Sequence, residues 1–227
     1  MSRTFLDITD SQIALIAGSS IIQSPGAALA DGASGGASLA FGQAVFETLK
    51  RRPLETRTDF WAQLSTAPLN AEFAGARHSA DLVYEHLKFL FAEAERQAGP
   101  IDDLVIIAPS NLNQTQLELL LGILNAVGKP PSSILDRALV HQHVIGKAGV
   151  HLDLQWRQMV ATEISLEDDQ LIVGKSSTLP VMAISICWSN VSSIVQICAS
   201  SKPGLIPAAV QTPNSYSLMR SQMHLRR

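Results

Sequence analysis

The clearest succession of apolar and polar positions along the chain lies between residues 101 and 143. Leu104 to Ala108 are all apolar, which predicts a strand buried on both faces in the middle of a sheet. Asn113, with Gln116 three residues later, has the spacing of a capping box at the start of a helix. Apolar residues then recur every three or four positions until Gly128. These signals predict a helix after the strand, in the middle of an α/β domain.

The residues before this segment predict a hairpin and a long helix. Two apolar runs, Thr4–Leu6 and Ile13–Ile16, flank a polar turn, as in an N-terminal β-hairpin. Ser79 is expected to cap a helix with Asp81 in its first turn, and Gly99 is expected to end it. One face of this helix is apolar and is expected to enter the core: Val83, Leu87, Leu90, Phe91 and Ala94.

Two other regions carry weaker patterns. Between Gly18 and Gly42 the chain is rich in Gly, Ala and Ser without the Lys-Ser or Lys-Thr pair of a P-loop, so we expect a flexible connection there. Phe60, Trp61 and Leu64 are expected to anchor a following segment in the core. Near the end, three segments predict a β meander: Val150–Leu154, Gln158–Ile164 and Leu171–Val173.

Charge and composition exclude several classes of function. The formal net charge is −3 and there is no long basic run, so nucleic acid is not an expected partner. Asp7 and Asp10 interrupt the N-terminal region where a signal peptide needs a continuous apolar run. The segment Val181 to Cys198 contains too many polar residues for a membrane span. We therefore expect a cytoplasmic protein without a membrane partner.

The residues that commonly bind metals or act as nucleophiles form no recognisable motif. Cys187 and Cys198 lack metal-ligand spacing, and two cysteines are too few for a disulfide framework. His141 and His143 have no evident third ligand, so the sequence predicts no metal site. No nucleophile-elbow motif places a serine beside a histidine and an aspartate.

The order of the motifs resembles the ATPase domain of heat-shock-type chaperones in the actin and sugar-kinase superfamily. The resemblance covers roughly residues 3 to 178 and implies an α/β fold, with an actin-like (ribonuclease H-like) lobe whose central mixed sheet is flanked by helices. That lobe would span residues 1–148, and an incomplete second-lobe β meander would span 149–180. The matching motifs are an Asp-bearing hairpin, Phe41–Ala44, Val105–Pro109, Gln114 and Gln116, Gly128, Ile134–Asp136, and a second Asp-bearing hairpin.

The resemblance implies a set of candidate site residues, because in that family the two hairpins are the phosphate loops that hold ATP with Mg²⁺. Asp7 matches the acidic residue of the first hairpin and Asp153 that of the second, while Asp136 stands where the family usually has Glu. Thr9 and Ser11 are the hydroxyl residues of the first loop. The alternative is structural, since Asp at the junction of a strand and a turn commonly caps its own backbone.

Both hairpins depart from the family pattern. The first has no glycine after Asp7, although close approach of backbone N–H groups to phosphate favours glycine. Asp10 adds a negative charge, and Trp156 with Arg157 makes the second turn bulky. We therefore predict that ordinary ATP binding is lost, although side chains of Thr9, Ser11 and Arg157 could still contact phosphate in a divergent site.

The residues from 181 to 227 have a different composition from the rest. All 20 acidic residues precede Gln170, and this tail contains none. We hypothesise that the tail results from a change of reading frame near Pro180, because codons compatible with residues 202–218 permit a charged amphipathic sequence in a shifted frame. The second lobe would then be truncated, and this chain would have no ATPase activity.

Three functional interpretations remain open. The first is a chaperone-like ATPase whose full-length parent binds ATP and Mg²⁺ and acts on a protein client. The second is an actin-like scaffold that binds an assembly partner and has lost hydrolysis. The third is an unrelated α/β domain that shares the order of elements. The sequence leaves the oligomeric state open.

Overall fold

The structure is a computed structural model that describes residues 3–31, 38–49 and 51–180, so the hypothesis about the tail lies outside the described residues. The chain divides into two compact units. Among the described residues, the first unit comprises those up to Ala108 together with Thr115–Leu135, and the second comprises Pro109–Gln114 together with those from Asp136 to Pro180. No helix within the described ranges is long and apolar enough to cross a membrane.

The chain up to residue 136 begins with a run of strands, and helices are interspersed with strands after that. The elements are β1 (Arg3–Ile8), β2 (Gln12–Ala17), β3 (Ser20–Pro25), β4 (Ala28–Asp31), β5 (Ser38–Ala40), α1 (Gln43–Thr48), a 3-10 turn (Pro53–Glu55), β6 (Thr56–Arg57), β7 (Pro68–Phe73), β8 (Ala76–His78), α2 (Ser79–Ala98), β9 (Asp103–Ala108), α3 (Gln114–Ala126) and β10 (Ser133–Asp136). The predicted hairpin, the strand near residue 105 and the helices on either side of that strand are confirmed.

The main sheet of the first unit has five strands in the order β10, β9, β1, β2, β3. Strand β1 lies in the middle, antiparallel to β2 and parallel to β9, so the sheet is mixed. Helix α2 packs against β2 and β3. The prediction of an α/β fold with a central mixed sheet flanked by helices is confirmed at this level.

Alternation along the strands directs one set of apolar side chains into the core of this unit. Leu6 and Ile8 on β1, and Ile13 and Leu15 on β2, are each no more than 2% exposed. Strand β9 is buried on both faces, as its continuous apolar run predicts. The predicted core residues of α2 and of the preceding segment are also buried: Val83, Leu87, Leu90, Phe91, Ala94, Phe60, Trp61 and Leu64.

The expectation of a flexible connection between Gly18 and Gly42 is wrong for the described part of that segment. It forms β3, β4 and β5, with residues 32–37 outside the described ranges. The glycine at position 26 is required by packing, because a Cβ there would lie 2.1 Å from the carbonyl oxygen of Asp10. The small residues of this segment thus permit close packing.

The expectation that Ser79 caps α2 is also wrong. His78 is the N-cap, and it forms a capping box with Asp81. Ser79 lies in the first turn, where its hydroxyl donates to the backbone oxygens of Gln63 and Ser65 at 2.7 and 3.0 Å. The hydroxyl therefore fixes the preceding loop against the helix.

In its described residues, the second unit is one helix on a three-stranded sheet. It contains α4 (Arg137–Ile145), β11 (Gly149–Leu154), β12 (Gln158–Glu167) and β13 (Gln170–Pro180). The strands form an antiparallel meander in chain order, as predicted, and α4 packs against all three. Residues 136–148, which the sequence assigned to the first lobe, group with these strands.

Candidate functional site

The turn of the first hairpin is closed by its own side chains. The Thr9 N–H donates to the Gln12 carbonyl at 3.0 Å, and the Thr9 hydroxyl donates to the same carbonyl at 2.8 Å. This hydroxyl also accepts from the Gln12 N–H at 3.0 Å and lies 3.1 Å from the Ser11 hydroxyl. Both candidate hydroxyls therefore take part in hydrogen bonds within the turn.

The two carboxylates of this hairpin differ in their surroundings. Asp7 is half-buried in the centre of the sheet, with Ala14 on β2 and Ile107 on β9 as its neighbours. Asp10, in the turn, is only 3% exposed, and its backbone oxygen lies against Gly26. The loop thus adds a second carboxylate three residues after Asp7, which disfavours an anion there.

The second hairpin repeats the register of the first. Asp7 pairs across the first hairpin with Ala14, seven positions later. Asp153 pairs across the second hairpin with Val160, also seven positions later. The Gln155 N–H donates to the Gln158 carbonyl at 2.9 Å, which matches the bond from Thr9 to Gln12. Thr9 and Gln155 therefore hold equivalent positions, two residues after an aspartate.

Both carboxylate oxygens of Asp153 are bound by neighbouring side chains. Arg137 Nη1 lies 2.7 Å from Oδ1, and Gln155 Nε2 donates to Oδ2 at 2.9 Å. The amide oxygen of Gln155 in turn accepts from the side chain of Gln158 at 3.1 Å. Since Asp153 is 8% exposed, this is a buried and charge-compensated network. A metal ion would have to compete with the positive charge of Arg137 for this carboxylate.

Asp136 caps helix α4. Its Oδ1 accepts from the backbone N–H groups of Ala138 and Leu139 at 3.0 and 3.3 Å. The same oxygen accepts from the Ser110 hydroxyl at 2.8 Å, which ties the short segment 109–114 to the helix. This aspartate thus has a structural role at the N-terminus of α4.

The five candidate residues fall into two groups. Asp7, Thr9 and Ser11 share one hairpin of the first unit, whereas Asp136 and Asp153 lie in the second unit. Arg157, the remaining candidate phosphate contact, is exposed in the turn of the second hairpin. Within the described ranges, no group of three His, Cys, Asp or Glu side chains could hold a metal ion.

Sequence reasoning considered His141 with His143 and did not find the contact that His141 makes. His141 on α4 contacts His151 on β11, with 3.0 Å between Nδ1 and Nε2, while His143 is exposed. Burial and the neighbouring His141 lower the pKa of His151 below its usual value, although Asp153 and Asp136 act in the opposite direction. The alternation of β11 puts His151 and Asp153 on the same face of the strand, but only the packing of α4 on β11 brings His141 to that face.

A second cluster that the sequence did not reveal surrounds His86 on α2. The Trp61 indole N–H donates to His86 Nδ1 at 3.0 Å, and His86 Nε2 lies 2.6 Å from the Ser24 hydroxyl. The imidazole is stacked on Phe41, with 4.8 Å between ring centroids. Burial lowers the pKa of His86 to about 3, so the ring is neutral near pH 7. Because Nδ1 accepts from the indole, Nε2 carries the proton and donates to Ser24.

This direction of hydrogen bonding excludes one kind of chemistry. A histidine that activates a serine must accept the hydroxyl proton, and here Nε2 of His86 is the donor. The residues His86 and Ser24 are also completely buried. The cluster therefore stabilises the core of the first unit.

Comparison with known proteins does not assign a family. No protein-family model matches the chain, and a search of curated proteins found no significant match.

Proposed function

We propose that this chain carries an actin-like (ribonuclease H-like) lobe and the start of a second, and that it acts as a non-hydrolysing scaffold that binds an assembly partner. The observation that carries the proposal is the state of Asp153, both of whose carboxylate oxygens are bound by Arg137 and Gln155. A carboxylate already paired with an arginine is a poorer ligand for Mg²⁺ and positions an attacking water less well than an unpaired one.

The repeated hairpin supports the fold part of the proposal. Each unit has an antiparallel three-stranded meander whose first strand carries an aspartate at the same distance from the turn. Two such hairpins in one chain are what the resemblance to the actin superfamily implies.

The equivalent positions Thr9 and Gln155 support the loss of hydrolysis. In the family that the chain resembles, glycine at this position lets backbone N–H groups approach phosphate. Here the Thr9 side chain binds Gln12, and the Gln155 side chain binds Asp153 and Gln158. In each loop a side chain forms hydrogen bonds within the turn, so neither loop offers an array of backbone N–H groups to an anion.

Exposed apolar side chains at the end of α4 support a protein partner. Val144 is 87% exposed and Ile145 is 61% exposed, and Val150 at the start of β11 is 46% exposed. Contiguous apolar exposure, here of the adjacent residues Val144 and Ile145, is typical of surfaces that bind another protein.

The alternative is a divergent chaperone-like ATPase, and the position of Asp7 favours it. Asp7 lies half-buried on the central strand, next to β9, as the acidic residue of a first phosphate hairpin would. In that case Asp7 would orient Mg²⁺ and water around ATP.

Thermal unfolding with and without Mg²⁺-ATP separates the two functions. A ligand that binds only the native state raises the midpoint of unfolding, so the scaffold proposal predicts no shift at millimolar Mg²⁺-ATP. The full chain is used, and release of inorganic phosphate is measured in parallel. We expect no turnover above the buffer rate.

The matched variants are Asp7→Ala and Asp102→Ala, since Asp102 is an exposed aspartate outside the hairpins. An upward shift that Asp7→Ala abolishes and Asp102→Ala retains would overturn the scaffold proposal in favour of the ATPase. If Mg²⁺-ATP leaves the midpoint of unfolding unchanged in the parent chain and in both variants, the result supports the scaffold.

A further inference from the structure

His141 and His151 bring two imidazole nitrogens together at the contact between α4 and β11. The atoms that meet, Nδ1 of His141 and Nε2 of His151, are 3.0 Å apart, and the rings meet edge to face at 67° with centroids 5.0 Å apart. Both rings are only partly buried. They are therefore held in place by a helix and a strand and remain within reach of solvent.

We propose that His141 and His151 form a two-imidazole site for a divalent transition-metal ion such as Zn²⁺. Imidazole nitrogen is a preferred ligand for Zn²⁺, Cu²⁺ and Ni²⁺, whereas Mg²⁺ and Ca²⁺ prefer oxygen. Water completes the coordination sphere, because no third His, Cys, Asp or Glu side chain joins the pair within the described ranges. The site does not depend on the proposed scaffold function.

The distance between the two nitrogens fits this use. Two nitrogens at the usual bond length from a tetrahedral zinc ion are about 3.3 Å apart. The observed contact would have to open by only a few tenths of an ångström. One ring now donates its N–H to the other ring, and a change of tautomer in the donor ring exposes a second lone pair without loss of a proton from the pair. The two rings must then turn so that both lone pairs converge on one ion.

The surroundings of His151 favour the form of that ring that binds metal. A histidine must be neutral to act as a ligand, and burial together with His141 disfavours the charged form of His151. Asp153 and Asp136 favour positive charge at His151, while Arg137 opposes it. The cation would thus enter a site where two carboxylates offset part of its charge, although Asp153 is already paired with Arg137.

Calorimetric titration of the full chain with ZnCl₂ tests the site. The background carries Cys187→Ser and Cys198→Ser, since thiolates bind zinc strongly. We expect one saturable site. His141→Gln and His151→Gln should each lower the affinity for zinc by at least about tenfold, because even the loss of a residue that only supports a metal ligand costs that much. His143→Gln removes an exposed histidine from the same helix and should leave the affinity unchanged.

Two further measurements keep the test decisive if one variant folds poorly. Zinc should raise the midpoint of thermal unfolding of the parent and of His143→Gln, and should raise it less in His141→Gln. In ¹⁵N spectra, zinc should shift the Nδ1 resonance of His141 and the Nε2 resonance of His151. Binding that His143→Gln weakens as much as His141→Gln does, or an absence of binding at millimolar zinc, would overturn the proposal.

Discussion

At Thr9 and Gln155 the chain has side chains where a loop that binds phosphate needs exposed backbone. A threonine hydroxyl and a glutamine amide both bond readily to nearby groups, so each hairpin satisfies its turn internally. The sequence indicated the missing glycines, and the structure adds where the replacing side chains bind. The bond from Arg137 to Asp153 could not be predicted, because it joins a helix and a strand whose packing is tertiary.

Gly26 provides a prediction at the scale of one residue. Gly26→Ala would put a methyl group 2.1 Å from the Asp10 carbonyl oxygen, so the backbone of the first turn must move. We expect the free energy of unfolding to fall by about 1–3 kcal/mol, as for other cases of overpacking. Urea denaturation measures the change.

The matched control for this prediction is Gly122→Ala, on α3, where a Cβ would meet no atom within 4 Å. This change should leave stability equal or raise it by about 0.5–1 kcal/mol, because alanine is the better helix former. Equal effects of the two substitutions would show that the contact with Asp10 does not constrain the turn.

At the scale of elements, continuous or periodic apolar patterns were the reliable signals. Strand β9, the buried face of α2 and the meander from β11 to β13 all follow from such patterns. The segment after Gly18 was misjudged, because its small residues are typical of a flexible linker and also of close packing. The pairing of β3 with β2 shows that the segment is packed and not a flexible linker. Local sequence does not encode that pairing.

The cap of α4 gives a prediction for one element. Asp136→Ala removes the acceptor of two backbone N–H groups and of the Ser110 hydroxyl, so the helix should lose about 1–2 kcal/mol of stability. Asp136→Asn keeps an acceptor oxygen and should lose clearly less. Chemical denaturation followed by far-ultraviolet circular dichroism measures both, and equal losses would contradict the capping role.

At the scale of the whole molecule, the acid stability of the first unit depends on His86. Its pKa in the folded chain is about 3, below the ordinary value of 6.5, so the unfolded chain binds more protons between these limits. The contribution of neutral His86 to the free energy of unfolding is fully present above about pH 6.5. It falls by about 1.4 kcal/mol for each pH unit as the pH decreases toward 3.

His86→Gln tests this dependence, since glutamine can form hydrogen bonds but does not titrate. We expect a smaller decrease in the free energy of unfolding between pH 6.5 and 4.5 than in the parent chain, whatever the difference at pH 7. Replacing Trp156 and Trp188 with phenylalanine in both proteins makes fluorescence report Trp61, which contacts His86. If the free energy of unfolding depends on pH equally in the parent chain and in His86→Gln, then His86 is not the group responsible.

The chain of hydrogen bonds through His86 has a consequence for protein engineering. Its direction is imposed by Trp61, whose indole can only donate, and not by either member of the Ser24–His86 pair. Trp61→Phe would remove that donor and permit the other tautomer, in which Ser24 gives its proton to the ring. One substitution outside the pair would thus permit the polarity that nucleophiles need. A search for serine–histidine pairs by interatomic distance alone would not distinguish the two tautomers.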